Sequence, residues 1–367
     1  MVSYALWGLE VDIATAQTNA AKWDWGTSSP ESQGMSNPKL KAMTDALAKR
    51  QTSGLLVIRN DKIVWEWYAS GWDVKKPHGT ASMAKAIVGG VSTAVALTDE
   101  RLALDDKVAK YIPQWRDDPI KSRITLRQLG SHTSGLGDAE SGELRHELLT
   151  GWKGDFWKRL DPPRDSFSIS RDIVPMLFEP GEKFAYSNPG IAMLCYGLTA
   201  ALTNAPQKDL RTLLRERVMR PIGVPDSEWS VGYGATYVVD GLPLVAAWGG
   251  GSYTARAVAR VGRLMLREGN WEGKELLTAE AVKQVTTNAS PVTTCGVGWW
   301  SNNQGAVAAI PKDAFWGSGA GHQCVLVVPS LGLIAVRNGQ LLATGVYSEA
   351  LYKWFFEPLM DTITDHM

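Results

Sequence analysis

The chain has 367 residues, with 38 Lys and Arg against 38 Asp and Glu, so its formal net charge is zero. That balance, without any local run of like charge, excludes the basic patch that a nucleic-acid or anionic-membrane partner requires. Hydrophobic residues at 44% and charged residues at 21% are an ordinary globular composition, so disorder and fibrous architectures are excluded, and the length predicts two domains or one large one with an insertion.

The first 35 residues are polar and rich in Trp, Ser and Gly, and read as an extended leader. Their one apolar run is short and broken by Glu10 and Asp12, with no basic segment ahead of it, so no signal peptide is read there. A periplasmic or secreted location, with a leader already removed, is expected ahead of a cytoplasmic one. Residues 38–50 follow Ser36-Asn37 and place Leu40, Met43 and Leu47 on one face, the pattern of a capped amphipathic helix. Residues 55–59 and 63–68 read as two strands joined by an Asn60-Asp61 turn. Residues 82–98 are Ala- and Val-rich, so a helix buried nearly all round is expected, with Gly89-Gly90 permitting close packing. Helices are also expected over 125–129, 171–177, 190–202 and 207–218, and over 256–267 after the tight entry Gly249-Gly250-Gly251. Strands are expected over 296–300, 314–317, 324–328 and 333–337, and an aromatic helix over 345–360. No stretch reaches the roughly 18 consecutive apolar residues of a membrane span.

Strands at both ends with helices between predict an α/β (α+β) fold, with one antiparallel sheet built from both termini and flanked by helices. An inserted all-helical domain completes that fold, and the domain division expected is a leader over 1–35, a discontinuous α/β domain over 36–80 and 245–367, and a mainly helical domain over 81–244.

Cys195, Cys295 and Cys324 are too few for a disulfide scaffold, and Cys195 and Cys324 lie in apolar runs as buried small hydrophobes. His146-Glu147 opens like a zinc-binding HExxH helix, but Thr150 stands where the second His belongs. No metal and no organic cofactor are expected.

Three segments carry chemistry. In the run from His78 to Lys85, Ser82 and Lys85 lie three apart, on one face of a helix. Ser82 at the helix N-terminus is placed where free N–H groups and the helix dipole favour developing negative charge. Lys85, flanked by apolar residues, is pushed by burial toward the neutral amine that can accept a proton. Next, Pro180-Gly181 leads to Tyr186-Ser187-Asn188. Tyr186, beside a lysine, is expected to have a lowered pKa and to share proton transfer, and Asn188 to hold Lys85 or a substrate carbonyl. Taken alone, these two read rather as a core aromatic and a helix cap. Last, Trp316-Gly317-Ser318-Gly319-Ala320-Gly321-His322 ends a strand. Its small residues let a substrate backbone approach, and the Ala320 N–H is expected to face that of Ser82 as an oxyanion hole. Ser134 in His132-Thr133-Ser134-Gly135 reads as turn chemistry, and His78 as support for the loop before Ser82.

In this order the motifs resemble the serine β-lactamase and penicillin-binding protein superfamily, with its SxxK, SDN and KTG elements. Tyr-x-Asn in second place resembles the class C β-lactamase branch, which also holds esterases, D-aminopeptidases and 6-aminohexanoate-dimer hydrolases. Residues 104–108, 124–136 and 250–266 are also similar to the family, and the likeness covers about 30–355. The resemblance implies a β-lactamase/transpeptidase-like fold and an acyl-enzyme. Ser82 is then the nucleophile, Lys85 its base partner, Tyr186 the second proton-transfer residue and Asn188 a positioning amide. The third motif departs from the family: its Lys-Thr-Gly or His-Thr-Gly is here Gly317-Ser318-Gly319, without the cation that helps bind a substrate carboxylate. His322 is the residue available to replace it. Trp316, with Trp299 and Trp300, walls either an apolar substrate pocket or the sheet core. The resulting expectation is a serine hydrolase of small esters or amides. The alternatives are a β-lactamase or D-amino-acid peptidase, and, from another class, a non-hydrolysing penicillin-binding sensor or scaffold.

Overall fold

In the computed structural model, residues 23–142 and 144–364 are described. Residues 1–22 of the expected leader lie outside them. The remainder of that stretch is packed rather than extended: Gly26–Thr27 forms β1, and Trp23 stacks edge-on against Trp25 and Trp271. Burying these indole rings holds the segment on the sheet edge.

β2 (Thr52–Arg59) and β3 (Lys62–Tyr68) form the expected hairpin. Asn60 and Asp61 both take left-handed backbone (φ 50° and 61°), which matches the tight two-residue turn that the strand twist requires. Toward the other end of the chain come β4 (Trp300–Ser301), β5 (Phe315–Gly319), β6 (Gln323–Val328) and β7 (Leu333–Gly339). β2 pairs antiparallel with β7, Leu55 opposite Arg337 and Val57 opposite Ala335, so the two ends of the chain close one sheet. Its order is β1-β3-β2-β7-β6-β5-β4. It is antiparallel except at β1, which runs parallel to β3. The connection from β1 carries a helix, long enough to return the chain for a parallel pairing.

Both faces of this sheet are covered, which is why its central strands read as continuous apolar runs. Leu55 and Val57 of β2 and Leu326 and Val328 of β6 face α1 (Asn37–Ala48) and the C-terminal helical turns, meeting Leu40, Met43 and Phe355. Leu56, Ile58, Val325 and Val327 point the other way into the larger core, with Val258 and Val261 of the helix Ala255–Leu266. Each fully buried side chain of this size contributes about 1.5–3 kcal/mol.

That larger core surrounds α2 (Ala81–Thr98), which is long and apolar enough to cross a bilayer but is 78% buried inside the protein. α2 opens with a single 3-10 turn, widens to π-type turns over Lys85–Gly90 and continues as α-helix from Val91. A Cβ on Gly90 would lie 2.5 Å from the Val297 carbonyl oxygen and 2.7 Å from Trp299, so glycine is required where this turn crosses α2.

Three expectations are corrected. Residues 296–299 are not strand. Gly298 turns at φ 72°, pressed so closely on the Lys85 carbonyl that a Cβ would sit 2.0 Å from its oxygen, and the strand begins only at Trp300, which an isolated bridge joins to Cys295. The helix expected over 171–177 is Ser166–Asp172, capped by Asp165 and ended ahead of Pro175, which disfavours helical backbone in the residue before it. The segment 81–244 is mainly but not wholly helical: Tyr237–Val239 and Leu242–Leu244 pair as a hairpin around Asp240-Gly241, and Trp229–Val231 pairs with Gly251–Tyr253. The Asp-Gly pair, with Val238-Val239 before it and Leu242 after it, is the hairpin signal.

Candidate active site

Backbone pairing fixes the approach to α2. His78–Gly79 pairs with Gly251–Tyr253, and Thr80 Oγ1 donates to the Gly250 carbonyl at 3.0 Å. His78 stacks on Trp72 and its Nδ1 lies 3.2 Å from Ser53 Oγ, a supporting arrangement. Ala81 then takes φ 46°, a conformation costly to a residue with a Cβ, and Ser82 follows in the first turn.

Lys85 Nζ lies 3.0 Å from Ser82 Oγ, as the three-residue spacing predicts. It also lies 2.7 Å from Asn188 Oδ1 and 2.5 Å from the Trp248 carbonyl oxygen. Burial of the amine lowers its pKa to about 7, against the opposing pull of the Asp138 and Glu140 carboxylates. A neutral amine suits these contacts: two N–H bonds serve Asn188 and Trp248, and the lone pair faces the Ser82 hydroxyl.

Tyr186 and Asn188 come from the start of α3 (Asn188–Ala201), whose cap is Ser187 and whose first turn holds Pro189. The Tyr186 hydroxyl donates to Ser82 Oγ at 2.9 Å, and its ring centroid lies 4.8 Å from Lys85 Nζ. The expected lowering of the Tyr186 pKa is corrected. Burial pushes it well above 10, and the Asp138 and Glu140 carboxylates push the same way, so the phenol keeps its proton. Asn188 is locked by Asp138, whose Oδ1 accepts from its backbone N–H at 2.8 Å and its Nδ2 at 3.0 Å. The amide oxygen is thereby turned toward Lys85.

His132 backs the Tyr186 ring at 4.5 Å, and its Nδ1 accepts the Ser187 N–H at 3.1 Å. Burial lowers its pKa to about 3, so it is neutral. Ser134 Oγ accepts from the Leu136 N–H at 3.3 Å, the turn chemistry expected. Asp138, Glu140, His132 and the Trp248 carbonyl were missed in the sequence. The pair Asp138-x-Glu140 after a Gly-rich turn was a usable signal, but a backbone carbonyl carries none.

The third motif runs along β5. Gly317 and Gly319 face α2: a Cβ on Gly317 would lie 2.8 Å from Ala86 Cβ, and one on Gly319 would lie 2.7 Å from Ser82 N and 2.5 Å from the Thr80 carbonyl. The glycines therefore let α2 approach the strand. β4 pairs only with Phe315 and Trp316, so the strand edge at 317–319 is left open on that side. Gly319→Ala must displace backbone rather than a flexible side chain, and is expected to destabilise the fold by about 1–3 kcal/mol, read as a lower denaturation midpoint.

Ser82, Lys85, Tyr186, Ser318, Gly319 and Ala320 line one cavity of about 350 Å³, closed by Trp300, Tyr347, His132 and Glu140. Asn188 stands behind Lys85. Gly317 and Trp316 do not line this cavity, and neither does His322. The fully buried His322 ring accepts from the Leu342 N–H at Nδ1 (3.1 Å), and its Nε2 lies 3.0 Å from the Tyr347 carbonyl. Burial lowers its pKa, so it supplies no replacement cation. Of the tryptophans, Trp299 is core and Trp300 lines the cavity.

A sheet closed by both termini, a Ser-x-x-Lys helix against its strand β5 and a Tyr-x-Asn loop facing both define a serine hydrolase of the β-lactamase and penicillin-binding protein type. The Beta-lactamase family model matches residues 40–350, and the chain belongs to that family. It is 24% identical over 284 residues to a 6-aminohexanoate-dimer hydrolase of Paenarthrobacter ureafaciens, covering 76% of this chain and 66% of that protein. It is 30% identical over 140 residues to a D-alanyl-D-alanine-carboxypeptidase/endopeptidase of Escherichia coli K12, over 37% of this chain and 33% of that one. The crystal structure of a family VIII carboxylesterase shares the fold with a TM-score of 0.63 at 17% identity, covering 89% of this chain and 99% of that chain.

Proposed function

We propose that Ser82 is acylated by small esters or amides and released by water. The observation that carries this is the convergence of the Lys85 amine at 3.0 Å and the Tyr186 hydroxyl at 2.9 Å on a single serine oxygen. Ser82 Oγ attacks the substrate carbonyl carbon while its proton passes to Lys85. The resulting oxyanion is held by the backbone N–H groups of Ser82 and Ala320. Collapse breaks the bond to the alcohol or amine. The leaving group takes a proton from the Lys85 ammonium, with Tyr186 as relay. Water then attacks the acyl-enzyme under the same base and frees the acid and the serine. Asn188 positions Lys85. On this reading the cleft lies where the segment 81–244 meets the α/β part formed by 36–80 and 245–367.

An uncharged carbonyl substrate fits this cavity better than a carboxylate. Glu140 is on its wall, burial lowers the lysine pKa to about 7, and among the described residues no other lysine or arginine lines it. The dimer hydrolase relative and the carboxylesterase structural neighbour, by their names, agree with an amide or ester. A β-lactam or D-amino-acid peptide is the second reading, favoured by the D-alanyl-D-alanine-carboxypeptidase relative. The test is pre-steady-state kinetics on p-nitrophenyl acetate. A burst followed by steady release is expected; a halt after one equivalent would identify a non-hydrolysing sensor instead.

A further inference from the structure

Because β5 alternates, its two faces serve different neighbours. Gly317 and Gly319 lie against α2, while Trp316 and Ser318 point toward the C-terminal helical turns, where Trp316 packs edge-on against Phe356 at 5.5 Å and Tyr352 at 6.2 Å. On that second face is another cavity, about 340 Å³, whose inner walls are Trp316, Leu351 and Tyr352. It adjoins the cleft. Trp300, Ser318 and Tyr347 line both cavities, so the two share walls at the uncovered edge of β5. Among the described residues, no lysine, arginine, aspartate, glutamate or histidine lines the second cavity. Tyr347, at the junction, is held by donating its hydroxyl to the Gly319 carbonyl at 2.6 Å.

We infer that the second cavity is a substrate subsite, which takes an apolar arm (aryl or branched alkyl) of the ester or amide whose carbonyl sits at Ser82. This rests on the Ser82 reading above. The occupant follows from adjacency and chemistry. A group bonded to a carbonyl at Ser82 and passing above Ser318 arrives between Trp300, Trp316 and Tyr352, which offer ring faces and no charge. Such walls favour flat apolar groups and give a charged group no partner. A dry apolar cavity of about 150 Å³ accommodates benzene, so the space suffices for an arylalkyl arm.

The test uses two ester series. p-Nitrophenyl phenylacetate against p-nitrophenyl acetate varies the acyl side, and benzyl acetate against methyl acetate varies the alcohol side. The readout is the kcat/KM ratio of the aryl to the small ester within each protein, which cancels changes common to both substrates. Two variants alter the subsite: Ser348→Trp fills it from a half-buried position on its wall, and Tyr352→Ala removes a ring. Each is expected to lower the ratio about ten-fold or more in one of the series, and that series identifies which arm enters. Ratios unchanged in both series overturn the subsite. If Ser348→Trp loses all turnover, Tyr352→Ala decides alone. A wild-type protein inert on all four esters would instead overturn the Ser82 reading, so the two failures are distinguishable.

Discussion

Ser82→Ala is expected to lower kcat on any ester the wild-type protein turns over by about 10⁴ or more, since removing a nucleophile forfeits the whole covalent route. The fold should survive the change. The Lys85 amine keeps its acceptors Asn188 Oδ1 and the Trp248 carbonyl, and the Tyr186 hydroxyl that loses Ser82 Oγ lines a cavity that water can enter. The variant's denaturation midpoint is therefore expected close to that of the wild type, and its activity loss will not reflect unfolding. A second readout comes from mass spectrometry of wild-type protein quenched during turnover. One acyl group should be found on the peptide containing Ser82 and none in the variant. Turnover by Ser82→Ala within ten-fold of wild type, or an acyl group on another residue, would remove the nucleophile assignment.

What was legible in the sequence was what local spacing encodes. Ser36 before Leu40, Met43 and Leu47 marks α1, Asn60-Asp61 marks the hairpin, and the interval from Ser82 to Lys85 places hydroxyl and amine 3.0 Å apart. What was not legible depends on groups brought in from far along the chain. Proximity to Lys85 suggested a lowered Tyr186 pKa, but burial and the carboxylates at 138 and 140 win, and nothing near Tyr186 in the sequence shows them. His322 has the right chemistry to replace a lost cation. However, the turn after β5 carries its ring inward to the backbone at Leu342 and Tyr347, and contacts of that kind leave no mark in the sequence. The glycines of the third motif were read as room for a substrate. The pressing neighbour is α2, at Ala86 and Ser82, and only the tertiary crossing reveals it.

These pKa directions separate the roles of the two proton-transfer groups. The form of Lys85 that accepts the Ser82 proton is the neutral amine, so activity requires deprotonation. As kcat/KM reports groups of the free enzyme, it is expected to rise with pH through a single limb near 7, the value to which burial lowers this amine, and then to level off. Tyr186, held well above 10, should add no limb below that pH. Lys85→Met removes the base while keeping a flexible apolar stem, and should lower kcat/KM by about 10²–10⁴. The residual rate should lose the limb near 7. Tyr186→Phe removes the relay but leaves the base, so its profile should be lower yet keep that limb. If the limb persists in Lys85→Met and disappears in Tyr186→Phe, the base is the phenol, and the neutral-amine account of Lys85 fails even though the nucleophile assignment stands.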